Sequence, residues 1–148
     1  MEEKVTSIFG ADAMPAMNTF SPLPVAYMGD AVYEMFVRTR VVSMGNMPVK
    51  KLNKLGNELS MARTQARMVA LLKDDGFLSD DELHLIQRGK NSKVGTVPKS
   101  ATAAEYHYAT AFEYLLGYLY MTDHTERASQ IVRRGWELLV AGSDSTEN

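Results

Sequence analysis

Two acids stand out for what surrounds them. Asp30 lies in the apolar stretch "AYMGDAVYEMFVR" (26–38), directly after Gly29. Glu113 is the only acid in "YHYATAFEYLLGYLYM" (106–121), with Gly117 one helical turn after it and Ala109 one turn before. A helix that is apolar around its circumference is expected to be buried, and a buried carboxylate without a partner is unfavourable. The small residues beside each acid leave room for a neighbouring helix or for an ion. Two carboxylates brought together from two helices repel, so one stays protonated unless a cation intervenes. Mg²⁺ suits such a pair, because it binds through one or two carboxylates and keeps waters for phosphate oxygens. The alternative is that each acid is satisfied by an arginine, a tyrosine hydroxyl or a backbone cap. Glu34, one turn after Asp30 and one turn before Arg38, reads as an ordinary helical ion pair. His84, His107 and His124 show no zinc-ligand or catalytic spacing.

The segment "RGKNSKVGTVPKS" (88–100) points to phosphate binding. It carries Arg88, Lys90, Lys93 and Lys99 and no acid, in a chain whose net charge is -2. Asn91 and Thr96 add hydrogen-bonding groups, and the glycines let backbone N–H groups come close to a ligand, a combination suited to phosphates and sugar hydroxyls. Arg63 and Arg67, one turn apart on a helix face, offer a second basic strip. The alternative for both is a solvated surface.

These residues need a helical frame. The pattern predicts helices from Pro22 to about Val42, from Val49 to Leu72 with a break near Gly56, from a Ser79 cap to about Arg88, from Thr102 to Thr122, and from Thr125 to Val140. Ser79 and Glu82 stand in capping-box positions. No alternating β pattern is present, so the class is all-α. Residues 1–21 read as a flexible leader, 22–140 as one domain and 141–148 as a disordered tail. Tyr27, Tyr33, Met35 and Phe36 exceed what one small core needs, and some are expected to face a second subunit. The chain has no cysteine, which excludes disulfides, Cys-based zinc sites and catalytic thiols and fits a cytoplasmic location. The acidic start argues against a secretory signal, and Pro15, Pro22 and Pro24 argue against a membrane span in the uncharged stretch 13–29.

With these residues assembled, the sequence resembles the ribonuclease III catalytic-domain family, most closely its short branch, Mini-ribonuclease III. "YMGDAVYE" is similar to the family's signature helix, "RGKNSKVGTVPKS" to the short branch's basic loop, and "ATAFEYLLGYLY" to the last catalytic helix. The likeness runs from about Leu23 to Val140. It implies a helical ribonuclease III-type bundle and a homodimeric, Mg²⁺-dependent endoribonuclease for double-stranded RNA, maturing the large-subunit (23S) ribosomal RNA precursor. By the same resemblance Asp30 and Glu113 are the catalytic, metal-binding acids. Arg88, Lys90, Asn91, Lys93, Thr96, Lys99, Arg63 and Arg67 are the expected RNA contacts. Longer family members carry further acids where this chain has Leu23, Ala26 and Thr110. No double-stranded RNA-binding domain follows, so RNA recognition falls to the catalytic domain or to a helper such as a ribosomal protein. The competing reading is a non-catalytic helical RNA-binding module in ribosome assembly.

Overall fold

The computed structural model describes residues 14–92, 97, 99 and 101–146, and among them every regular element is a helix. The order is α1 (Pro22–Val42), α2 (Val49–Ser60), α3 (Ala62–Asp74), α4 (Asp80–Lys90), α5 (Ala103–Met121) and α6 (Thr125–Thr146), preceded by one 3-10 turn at Met17–Thr19. None of the described helices is long and apolar enough to cross a membrane.

Local chemistry sets several of the boundaries. Proline in the first turn starts α1. The Ser79 hydroxyl accepts from the Glu82 amide while the Glu82 carboxylate accepts from the Ser79 amide, and Thr102 and Glu105 repeat this box at the start of α5. Glu82 also takes a bidentate pair from Arg127 at 2.8 Å on each arm, which ties α4 to α6. The helix expected over Val49–Leu72 is in fact two. The break falls at Met61, whose backbone is extended, and not at Gly56. One long-range and one local bond hold it there: the Ser60 hydroxyl donates to Glu34 of α1, and the Gln65 side chain donates to the Ser60 carbonyl. Gly56 stays inside α2, where a β-carbon would lie 3.4 Å from Val37.

α5 is the central helix. Phe112, Leu115 and Leu116 are fully buried with Tyr33, Val37, Met68, Leu72 and Ile131 from its neighbours. Residues 1–13 of the expected leader and 147–148 of the expected tail lie outside the described residues, and the described remainder of each is organised. Met14, Met17 and Phe20, assigned above to a flexible leader, pack against Val25, Ala26, Tyr114 and Met121. α6 continues through residues 141–146, which had been assigned to a disordered tail. Tyr33 is a core residue and not an interface one. Its hydroxyl donates to the Leu59 carbonyl at 2.7 Å and accepts from Trp136 Nε1 at 3.2 Å, its ring meets Phe112 edge-on, and burial pushes its phenol up to about 12.

The closest approach between helices is where α1 crosses α5. A β-carbon on Gly29 would overlap the Glu113 carbonyl and sit 2.9 Å from the Gly117 nitrogen, and one on Gly117 would overlap the Val25 carbonyl. Backbone meets backbone here, and only glycine fits. Gly29→Ala is therefore expected to lower unfolding free energy by about 3 kcal/mol or more, at the upper end of overpacking effects. Urea denaturation measures it, and a loss below about 1 kcal/mol would show that the crossing can relax.

Candidate active site

The glycine crossing fixes which side chains meet beside it. Asp30 follows Gly29 on α1 and Glu113 lies one turn before Gly117 on α5, so the contact that joins the backbones sets the two carboxyl groups side by side. They line a single cleft of about 390 Å³ together with Leu23, Ala26, Tyr27, Tyr106 and Thr110.

The two acids have different surroundings. α1 is not apolar-buried all round: Leu23, Tyr27, Met35 and Val42 are exposed along it, and Asp30 is exposed too. The expectation of a buried Asp30 is thus corrected. Glu113 is the enclosed member. Burial, a hydrogen bond to Asp30 that only the protonated acid can donate, and the Asp30 charge together push the Glu113 carboxyl from 4.5 up to about 9. At neutral pH without a cation, Glu113 therefore holds its proton beside Asp30.

This donor set suits a small hard cation. Two carboxylates from two rigid helices supply oxygen ligands, and the open cleft leaves space for water and a phosphate, which is how Mg²⁺ is commonly bound. Among the described residues, no larger group of acids or histidines gathers around them. Glu34 is engaged as expected, accepting from Arg38 Nε at 2.9 Å and from Ser60.

Among the described residues, none of the expected RNA contacts lines the cleft. Arg88 is exposed in the last turn of α4, Asn91 caps that helix with its side-chain oxygen accepting from Gln87, and Lys99 is exposed. Lys93 and Thr96 lie outside the described residues. Lys90 is already occupied: it donates to the Tyr108 hydroxyl at 3.1 Å and stands 4.6 Å from the centre of that ring, with Lys73 at 5.9 Å. The Lys90 bond pulls the Tyr108 phenol below its ordinary value. Arg63 and Arg67 are exposed on α3, and Arg67 lies against Gly142 of α6, 3.3 Å from the position of a β-carbon there.

The sequence reading did not single out Tyr27 and Tyr106 as cleft walls. Their signal was available, because Tyr27 precedes Asp30 by one turn and Tyr106 precedes Glu113 by two, so each shares its acid's face. Leu23, Ala26 and Thr110 line the same cleft.

Comparison with known proteins fits this geometry. Residues 24–124 match the family model described as Ribonuclease III domain. Among curated proteins the chain is similar to Mini-ribonuclease 3 from Thermoanaerobacter sp. (strain X514), at 41% identity over 77% of this chain and 79% of that one. It is also similar to Mini-ribonuclease 3 from Brevibacillus brevis, at 35% identity over 82% and 90% of the two chains. A crystal structure of a Fusobacterium nucleatum protein superposes with a TM-score of 0.71 at 29% identity, over 79% of this chain and 93% of that one.

The carboxyl pair makes stability depend on pH in a defined sense. Glu113 binds its proton more tightly folded than unfolded, so its contribution is fully present below about 4.5 and is lost as pH rises toward about 9. Asp75 and Glu82, held down by Arg134 and Arg127, work in the opposite sense at acidic pH. In metal-free buffer the stability of Glu113→Gln relative to wild type is therefore expected to rise steadily between about pH 5 and 9. Denaturant titrations across that range measure it, and a flat difference would show that folding leaves the proton affinity of Glu113 unchanged.

Proposed function

The chain belongs to the ribonuclease III domain family, and from that premise we propose that this endoribonuclease cuts double-stranded RNA with Mg²⁺ held by Asp30 and Glu113. The observation that carries the reading is the convergence of these two acids, one from each helix of the glycine crossing, in one open cleft. We extend the reading, on the family resemblance alone, to maturation of the 23S ribosomal RNA precursor in the cytoplasm.

Each residue has a task in hydrolysis. Asp30, exposed and beside the protonated Glu113, is the first ligand. Glu113 must release its proton to become the second, and its enclosed position keeps that carboxylate aimed at Asp30. Asp30 and Glu113 would hold the Mg²⁺ ion, which would supply Lewis acidity toward a phosphate oxygen and lower the pKa of a water available for hydrolysis. The Tyr27 and Tyr106 hydroxyls, on opposite walls, are hydrogen-bond donors for the non-bridging phosphate and ribose oxygens. The RNA's own 2′-hydroxyl need not act as nucleophile.

A homodimer is part of the proposal. Met35 at 68% exposure, with exposed Val42, leaves apolar surface along α1 beyond the cleft. A two-fold axis through such a surface sets two equivalent clefts against the two strands of a duplex, which are themselves related by two-fold axes. Nothing in the described surface calls for the ribosomal-protein helper. The competing non-catalytic module shares the fold and differs in one result, Mg²⁺-dependent cleavage of a long RNA duplex by the purified protein.

Asp30→Asn and Glu113→Gln are each expected to reduce cleavage by about 10³-fold or more, since metal-held charge stabilisation is worth several kcal/mol. The dimer should stay folded and RNA binding in EDTA should persist. Wild-type turnover by either variant at saturating Mg²⁺ would remove that residue from the metal site. In a mixed dimer of one wild-type and one Asp30→Asn chain, separately tagged and co-purified, denaturing gels should show single-strand nicks. Efficient double-strand cuts by that species would refute one cleft per strand.

A further inference from the structure

α2 belongs neither to the acid cleft nor to the basic loop, and its outer face has an unbalanced charge. Lys50, Lys51 and Lys54 are all exposed, Glu58 is the helix's only acid, and no ion pair reaches these lysines among the described residues. The three lysines, Asn53 and Asn57 border a shallow open groove of about 1000 Å³ that Glu58 and the apolar Leu55 and Met61 also line. In a chain of net charge -2, this concentrates cations where nothing in the fold uses them.

The position of the face suggests a ligand. α2 folds back along α1: Gly56 sits against Val37, and Ser60 at its end donates to Glu34, one turn beyond Asp30. At about 1.5 Å per residue, Lys54 and Lys50 lie ~9 and ~15 Å along α2 from that end, hence roughly 15–20 Å from the acid pair. A duplex carries one phosphate charge per roughly 1.7 Å of axis, so it presents about ten phosphates over that distance. Lysine is a flexible point charge that meets phosphates of any sequence, and side-chain amides donate to the same oxygens.

We propose that the Lys50–Lys51–Lys54 face of α2 is a second binding surface for the RNA duplex, holding the phosphate backbone beyond the cleavage site. This rests on the endoribonuclease reading above and extends the substrate's footprint from the cleft along the α1–α2 hairpin. The surface reads charge and not sequence. It strengthens binding of duplexes long enough to span from cleft to α2 and leaves the chemical step alone.

The test compares wild type with Lys50→Gln/Lys54→Gln and Lys50→Glu/Lys54→Glu, all side chains exposed, so unchanged thermal melting certifies the fold. Fluorescence anisotropy with a 30-base-pair duplex in EDTA, between roughly 50 and 200 mM salt, gives the dependence of log affinity on log salt. The glutamine pair should flatten that slope by about two units for each subunit touching the duplex, and the glutamate pair should weaken binding further. With Mg²⁺, KM should rise while kcat at saturating RNA stays at the wild-type value. An unchanged slope in a variant whose wild type binds steeply overturns the proposal alone and returns the face to solvent or to a protein partner. A fall in kcat with unchanged KM also overturns it, by placing α2 in the chemistry. A wild type that neither binds nor cuts duplex overturns the underlying reading as well.

Discussion

The whole arrangement depends on two glycines that let the backbones of α1 and α5 touch. Gly29 has no room for a side chain against the Glu113 carbonyl, nor Gly117 against the Val25 carbonyl. Helices with ordinary side chains at a crossing keep their axes about 8–10 Å apart, and glycine permits a closer approach. The consequence is chemical as well as architectural. The residue after Gly29 is Asp30 and the acid one turn before Gly117 is Glu113, so the packing contact also forces two carboxyl groups together. Rigid helices then hold them there, which is what a site acting through fixed charges requires.

Placing like charges in contact works against folding, and the protein answers with a proton. Enclosure and the Asp30 neighbour raise Glu113 to about 9, so the folded chain carries an acid that a cation can displace. The neutral lining strengthens this dependence. Leu23, Ala26 and Thr110 add no charge, so the proton on Glu113 is what relieves the repulsion of the pair. Away from the cleft, charges are treated differently: Arg127–Glu82 and Arg134–Asp75 are paired bidentate links between helices, whereas the lysines of α2 are left open to solvent.

The sequence made visible what is decided locally. Pro22, the Ser79–Glu82 box and the apolar run of α5 carry their own start signals, and the helices stand where those signals are. The small residues beside each acid were legible as places of close approach, although sequence left open whether a helix or an ion would use them. A helix uses them, and any ion would lie beside the crossing and not within it. What stayed hidden depends on contacts distant along the chain. The break at Met61 is held by Glu34 from α1, Tyr33 is claimed for the core by Leu59 and Trp136, and Lys90 is held by a tyrosine 18 residues later. The exposure of Asp30 was hidden for the same reason. Hydrophobicity shows that a helix has a buried face, and only the packing partner decides that Glu113 is enclosed while Asp30 looks outward.

Calorimetry of Mg²⁺ binding in buffers of different ionisation enthalpy tests the central claim most directly. A carboxyl held protonated near neutral pH must release its proton to become a ligand. At pH 7 each subunit should therefore release about one proton per ion bound, and Glu113→Gln should abolish both binding and proton release. Binding without proton release, or equal binding by the Glu113→Gln variant, would contradict the account of Asp30 and Glu113 as one proton-bridged, metal-exchangeable pair.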